Sequence, residues 1–433
     1  MDSRLWPLLA IHFIGTLGYS IAIPFLVFLV TDFGGDSVVY GFVGATYSAC
    51  QLIGAPLLGR LSDRVGRTPV LVVSQLGTAL AWLLFLVALY LPMDELMPLN
   101  ARATLTVPLL FVFLARALDG VTGGNVSVAN ALVADLTVGN AEARGQAFAR
   151  MGIAASLGMV LGPALAGLLG GTSWGYTLPV VGAGVLALAA SVLVLVLLRE
   201  PEKRCPEPAE PPGNAIAAVG AQVKDCSRSP EATPRVDLTK LPGIPALIGA
   251  AFVQLLAFNL FYSSFPIFAA QGLGWDVGSL GGFFALMSVS MIVAQGPLLD
   301  RLTPTWSPSA IFALGQASLA VAFVLMMTGE TWLVLVASIA FAVGNGLGWP
   351  TFQALVADRS PDEAQGAVQG AVTSAMSFAS IVGLLVGGFL YPTLGTGLFV
   401  LCAVLFALMG VATPWLWREP RDPQEQPVVV PQS

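Results

Sequence analysis

The chain has 433 residues, of which 56% are hydrophobic and only 10% charged, with a formal net charge of −6. A water-soluble domain carries about a quarter charged residues, so soluble folds are excluded. The charge total says little about partners, because in a membrane protein the side on which each charge lies is what matters.

Taken in chain order, apolar runs long enough to cross a bilayer core of about 30 Å are predicted at about 5–30, 38–58, 69–91, 105–136, 143–170 and 175–198. Six more follow at about 244–270, 279–299, 308–328, 332–357, 364–391 and 395–417. The first run is too long for the h-region of a signal peptide and no small-residue cleavage site follows it, so it is expected to remain as span 1. Between spans 6 and 7, residues 199–243 are rich in proline and charge (PEKRCPEPAEPP) and lack sustained apolar periodicity. They read as a mostly disordered cytoplasmic linker. The expected domains are a six-helix bundle over 1–198, the linker over 199–243, a second six-helix bundle over 244–417 and a cytoplasmic tail over 418–433.

With both termini in the cytoplasm, all but two of the 19 Lys and Arg fall on that side; the exceptions are Arg102, in an outer loop, and Arg116, inside span 4. The outer loops otherwise carry Asp32, Asp36, Asp94, Glu95, Asp276 and Glu330. The positive-inside rule therefore sets the expected orientation. Cys50, Cys205, Cys226 and Cys402 are scattered without metal-ligand spacing and read as reduced thiols.

The two halves repeat one another. ALVAD occurs at Ala131–Asp135 and at Ala354–Asp358, each time at the inner end of the fourth span of its half, and Gly41–Arg64 aligns without gaps to Gly278–Arg301. Parallel internal repeats are found in secondary transporters, with the substrate site near mid-membrane between them. The stretch Gly59–Leu71, GRLSDRVGRTPVL, is the densest charge between apolar runs and reads as a short cytoplasmic hinge. There Gly59 permits close backbone approach, Gly66 permits a left-handed turn, and Asp63 is placed to accept hydrogen bonds from amides at a helix N-terminus. The second half keeps Gly296, Asp300 and Arg301 but has Thr303 and Pro304 where Gly66 and Arg67 stand, so the complete hinge occurs once.

Gly59, Leu61, Asp63, Arg64, Gly66 and Arg67 match G-x-L-x-D-R-x-G-R, and Arg116 and Gly120 match R-x-x-x-G. Through these motifs, and over nearly its whole length, the chain resembles the major facilitator superfamily. In span 5, Gly158, Gly162, Pro163 and Gly167 are similar to the motif of its drug and proton antiporters, with Ala166 where a first paired glycine is usual. Apart from any resemblance, Gly158 and Gly162 form a small-xxx-small face for close helix approach, and Pro163 bends the helix beyond it. The resemblance implies an all-α membrane protein, twelve transmembrane helices in two pseudo-symmetric six-helix bundles, with spans 1, 4, 7 and 10 lining a cavity. It also implies a conformational latch in which Asp63 engages the start of span 11, Ser360-Pro361-Asp362-Glu363, while Arg67 pairs with Asp135.

Few strongly polar groups lie well inside the spans. Arg116 and Asp119 sit one turn apart in span 4, and a charge at the centre of a membrane helix costs about 2.5 to 3.5 kcal/mol. They are expected to face the cavity or each other, as a structural ion pair or as a proton site in which Arg116 modulates Asp119. His12, the single histidine, is either a second proton-exchanging group or a packing residue. On the spans that line the cavity by resemblance, polar and aromatic stripes recur at helical spacing. They are His12 and Tyr19; Arg116, Gly120, Gly123, Ser127 and Asn130; Asn259 and Tyr262 with Pro266; and Asn345, Trp349 and Gln353. Such a cavity suits a lipophilic or cationic solute better than a sugar or a strongly anionic one. Gly18–Pro24 resembles the segment of span 1 in tetracycline-type antiporters, but Gly15 stands where those proteins place a carboxylate. That departure points away from a tetracycline and metal cargo and leaves Asp119 or His12 to carry the proton.

The expected function is thus secondary active transport by alternating access: proton-coupled, multidrug-type export of small lipophilic or cationic compounds. The alternatives are a dedicated exporter or importer of a metabolite, siderophore or lipid, and a non-transporting scaffold or sensor whose linker recruits a partner. No phosphate-binding loop, metal cluster or nucleophile constellation is present in the sequence, so no enzymatic activity, cofactor, metal or nucleic acid is expected. The expected partners are a small-molecule substrate, protons and membrane lipid, with the chain a monomer in the plasma or inner membrane.

Overall fold

The computed structural model describes residues 5–123, 125–136, 141–198, 238, 241, 243–360 and 365–417; nearly all of the expected linker and the tail over 418–433 lie outside them. Among the described residues, 11 helices are long and apolar enough to cross a membrane, or 12 when the bent pair Trp6–Ala22 and Phe25–Asp32 is one span. That pair is bent by 44° across a stretch that includes Pro24, whose missing amide removes a helix hydrogen bond.

Spans 1 to 3 are Leu5–Asp32, Ser37–Val65 and Arg67–Ala88; span 4 is Val107–Thr122 continued by Asn125–Leu136; spans 5 and 6 are Ala141–Gly170 and Thr177–Leu197. Span 7, Ile244–Ile267, ends in a π turn, Phe268–Gly272. Span 8, Val277–Val293, passes through a second π turn, Ala294–Leu298, into Leu299–Leu302. Pro297 lies in that second turn, where it leaves one carbonyl without its usual donor. Spans 9 to 12 are Pro308–Met326, Thr331–Arg359, Gln365–Leu394 and Gly397–Leu416.

Three details differ from the sequence reading. Span 2 stays helical to Val65, so the charged stretch after Gly59 is a helix end rather than a loop. The first helical segment of span 4 ends at Thr122 with Gly123 as its cap, inside a stretch, Val107–Val133, that is long and apolar enough to be one span. Between spans 3 and 4, β1 (Glu95–Pro98) pairs antiparallel with β2 (Thr104–Thr106). The hairpin is tied to the end of span 1: the Thr104 amide donates to Gly34 at 2.9 Å and the Thr106 hydroxyl to Phe33 at 2.7 Å. Equivalent aspartates cap the starts of spans 2 and 8, Asp36 accepting from the Val39 amide at 3.0 Å and Asp276 from the Ser279 amide at 2.8 Å. Hydrogen bonds from Ser279 hold the exposed Asp276 carboxyl below the usual carboxylate range.

Within the first half, span 1 packs on span 5, span 3 on span 6, and span 4 on spans 2 and 3; within the second, span 9 packs on spans 10 and 12 and span 7 on span 11. The halves meet where span 5 crosses span 8 and span 2 crosses span 11. Lipid tails are as apolar as leucine, so these seams depend on close approach and interhelical hydrogen bonds rather than on escape from water. Accordingly, a Cβ on either Gly167 (span 5) or Gly281 (span 8) would overlap the other's backbone. A Cβ on Gly41 would lie 2.7 Å from the Leu384 carbonyl and 3.2 Å from Gly388. These contacts concentrate toward the end of the molecule that carries Asp36. Toward the opposite end, which carries Gly66, Ile53 (span 2), Ile153 (span 5) and Val289 (span 8) are exposed.

Candidate functional site

Span 4 carries the intramembrane charges, and its neighbours grip it closely. A Cβ on Gly120 would overlap the Tyr47 carbonyl, and one on Gly54 or Gly77 would overlap Val121 or Thr122. This close packing buries Arg116 and Asp119, with side chains only 4% and 6% exposed. Arg116 Nη1 lies 3.5 Å from Asp119 Oδ2, a long monodentate pairing, and Arg116 Nε has no partner among the described residues. The guanidinium sits 5.5 Å from the ring centres of both Tyr47 and Phe85, so two π faces share its charge. Tyr19 of span 1 leans on Tyr47 with ring centres 4.7 Å apart. Gln51 Nε2 donates to the Tyr47 hydroxyl and to the Gly123 carbonyl, each at 3.2 Å. The result is a buried, nearly neutral ion pair walled by aromatic rings, with Tyr19 half-buried on its rim.

The other sequence candidates are dispersed. His12 is half-buried in span 1, where its backbone carbonyl accepts from the Thr16 hydroxyl at 2.8 Å. Ser127 donates to the Ala55 carbonyl of span 2 at 3.0 Å, and Asn130 is exposed. Asn259 donates to Leu255 at 2.8 Å and accepts from Ser380 at 3.1 Å, so its amide joins span 7 to span 11. The Tyr262 ring is packed among Phe258, Phe261 and Phe284. On span 10, Asn345 is half-buried, Trp349 packs its ring on Phe352, and Gln353 Oε1 is buried without a partner among the described residues. Sequence reasoning misses Tyr47, Gln51 and Phe85 because they belong to spans 2 and 3, outside the spans that line the cavity by resemblance. The one available signal was the i, i+4 spacing of Tyr47 and Gln51 within an apolar run.

The hinge motif forms a compact local network. Gly66, the single residue between spans 2 and 3, has φ 113° and ψ 156°, a region reserved essentially for glycine. Arg67 Nη1 lies 2.7 Å from Asp63 Oδ1 and 2.7 Å from the Ser62 hydroxyl, which itself donates to the Gly59 carbonyl at 2.7 Å. Asp63 is 62% exposed, so that ion pair adds little stability. Arg64 is exposed. The Asp135 side chain and residues 361–364, the expected partners of Arg67 and Asp63, lie outside the described residues. Gly66→Ala is expected to cost about 1 to 3 kcal/mol, read as a lower unfolding temperature of the purified protein. Gly59→Ala, whose methyl would meet only the Ser127 hydroxyl at 3.9 Å, should unfold no earlier than the parent.

The span 5 motif divides its contacts. A Cβ on Gly158 would lie 2.6 Å from the Phe13 carbonyl and one on Gly162 would strike Ser20, so both face span 1, whereas Gly167 faces span 8 across the seam. Pro163 is buried within the helix. Span 11 does the same with no motif to announce it: Gly383 and Gly387 face Asn259 and Ser263 of span 7, and Gly388 faces span 2.

A mostly helical, multi-pass membrane protein with an intramembrane ion pair and glycine-packed repeats is of the transporter class. The chain belongs to the Major Facilitator Superfamily, whose family model matches residues 8–323 and 247–431. It is similar to the class H tetracycline resistance protein of Pasteurella multocida, 26% identical over 398 residues that cover 90% of each chain. It is also similar to the class G tetracycline resistance protein of Vibrio anguillarum, 28% identical over 410 residues covering 93% of this chain and 90% of that one. Among solved structures, the human organic anion transporter MFSD10 (TETRAN) superposes with a TM-score of 0.64 at 22% identity, over 95% of this chain and 99% of that one. A D-xylose–proton symporter superposes with a TM-score of 0.68 at 14% identity, over 96% of each chain. Both share the fold.

Proposed function

We propose that the protein is a proton-coupled exporter of small lipophilic compounds, working by alternating access in a plasma or inner membrane with both termini cytoplasmic. The observation that carries this reading is the buried Arg116–Asp119 pair beside Tyr19 and Tyr47. A carboxylate kept inside a membrane protein is costly, and a charge-exchanging role accounts for its retention. Asp119 is the proton site, Arg116 modulates it, and His12 is the second candidate. Since Arg116 balances the ionised carboxylate, the pair offers a cation no net negative charge, which favours uncharged lipophilic cargo over cationic cargo. Likeness to tetracycline resistance proteins supports export.

In this reading the halves are the bundles over 1–198 and 244–417, joined by the linker, and the Gly66 end faces the cytoplasm because the cationic residues gather there. The arrangement described here is then closed toward the outside, and the Asp63, Arg67 and Asp135 latch acts when the cytoplasmic side closes. Respiring inside-out vesicles containing the protein should accumulate a lipophilic fluorescent compound and lose it when a protonophore is added. Accumulation that persists with the gradient collapsed would remove proton coupling.

A further inference from the structure

Span 2 presents a single face, with Tyr40, Gly44 and Ser48 one turn apart, to the second half of the molecule. Against it, span 11 presents Ser380, Leu384 and Gly388 at the same spacing. Leu384 seats on Gly41 and Gly44. Ser48 Oγ lies 3.3 Å from Ser380 Oγ, and Ser380 donates to Asn259 at 3.1 Å, so this bond chain runs from span 2 through span 11 to span 7. Nearer the Asp36 end, the buried Tyr40 hydroxyl donates 3.1 Å to the backbone carbonyl of Tyr262.

That carbonyl is available for a chemical reason. In a helix it would accept from the amide four residues on, but residue 266 is proline, buried within span 7, and has no amide to give. Proline therefore creates an unpaired acceptor in one half, and tyrosine in the other half satisfies it. The repeat places Val277 where Tyr40 stands, so the equivalent position of span 8 has no side-chain donor.

We propose that the Tyr40 hydroxyl and the proline-freed Tyr262 carbonyl are the clasp of the Asp36-end gate, setting the balance between the closed and open arrangements of that end. The proposal rests on alternating access and on neither the cargo nor the coupling ion. Opening strands the carbonyl until water reaches it, so only the net worth of one hydrogen bond is lost. Its removal should change the open-to-closed ratio about fivefold.

The test is a distance distribution between nitroxide labels at Tyr90→Cys and Trp332→Cys, which are exposed at the Asp36 end of either half, with the native cysteines replaced by serine. No cargo or gradient is needed. Tyr40→Phe should raise the long-distance, open population about fivefold over the closed one. In a Pro266→Ala background the residue 266 amide gives the carbonyl a donor of its own, so Tyr40→Phe no longer leaves it unpaired and should move the distribution much less than with Pro266 present. If Tyr40→Phe has no effect with Pro266 present, or the same effect in both backgrounds, the clasp is wrong while alternating access stands. If no variant ever shows the long distance, at neutral or acid pH, alternating access fails and takes the clasp with it.

Discussion

Asp119→Asn is expected to abolish transport driven by a pH gradient, because asparagine can neither take up nor release the proton. The variant also strands Arg116, whose Nε already has no partner among the described residues, and breaking a buried pair on one side costs about 3 to 5 kcal/mol. Lost transport in this variant alone therefore does not separate a proton site from a structural ion pair. The double variant Asp119→Asn with Arg116→Gln removes both charges and replaces them with polar groups of similar size. It should recover much of the lost thermal stability, since neither half of the pair is left unpaired. If Asp119 carries the proton, the double variant is stable and inactive. If the pair only holds spans 2, 3 and 4 together, the double variant transports again.

Gly167→Val is expected to give a protein that inserts and accumulates normally but transports at a small fraction of the parent rate. The added carbons would fall on the backbone of Gly281 in span 8, with no flexible side chain to move aside. Overpacking a close seam costs about 1 to 3 kcal/mol, and here the cost falls only on the arrangement in which spans 5 and 8 touch. The balance should move about 10- to 100-fold away from closure at the Asp36 end. Gly171→Ala, whose methyl would meet the Gly167 carbonyl at 3.2 Å and Gly278 at 3.5 Å, is the milder companion and should slow transport only modestly. Equal activity of Gly167→Val and the parent, measured as cargo flux per inserted protein, would show that the seam separates little during the cycle.

Much of the architecture was legible because hydropathy reports directly on membrane spans and basic residues on their ends. The close-approach face of span 5 could also be read from Gly158 and Gly162. Their division of labour with Gly167 could not, because a glycine repeat does not say which neighbour it meets. Span 11 shows the same limit, since Gly383, Gly387 and Gly388 match no motif yet pack as span 5 does. The charged pair was visible as charges in an apolar run, whereas its wall of Tyr47, Gln51 and Phe85 was not, because these residues belong to spans that hydropathy marks only as apolar. Asn259 shows what spacing alone does not report. Its helical position fits a cavity stripe, but the Ser380 hydroxyl and the Leu255 carbonyl already occupy its amide.

Cargo-evoked proton movement shows whether cargo and protons exchange through Asp119. Purified protein in liposomes with a pH-sensitive dye in the lumen, and no imposed gradient, is given a lipophilic cargo from outside. Cargo entry should drive protons out, raising luminal pH in the parent and leaving it unchanged in the Asp119→Asn, Arg116→Gln protein. Cargo entry at the parent rate with no change in luminal pH, or the same change in both proteins, would rule out exchange through Asp119.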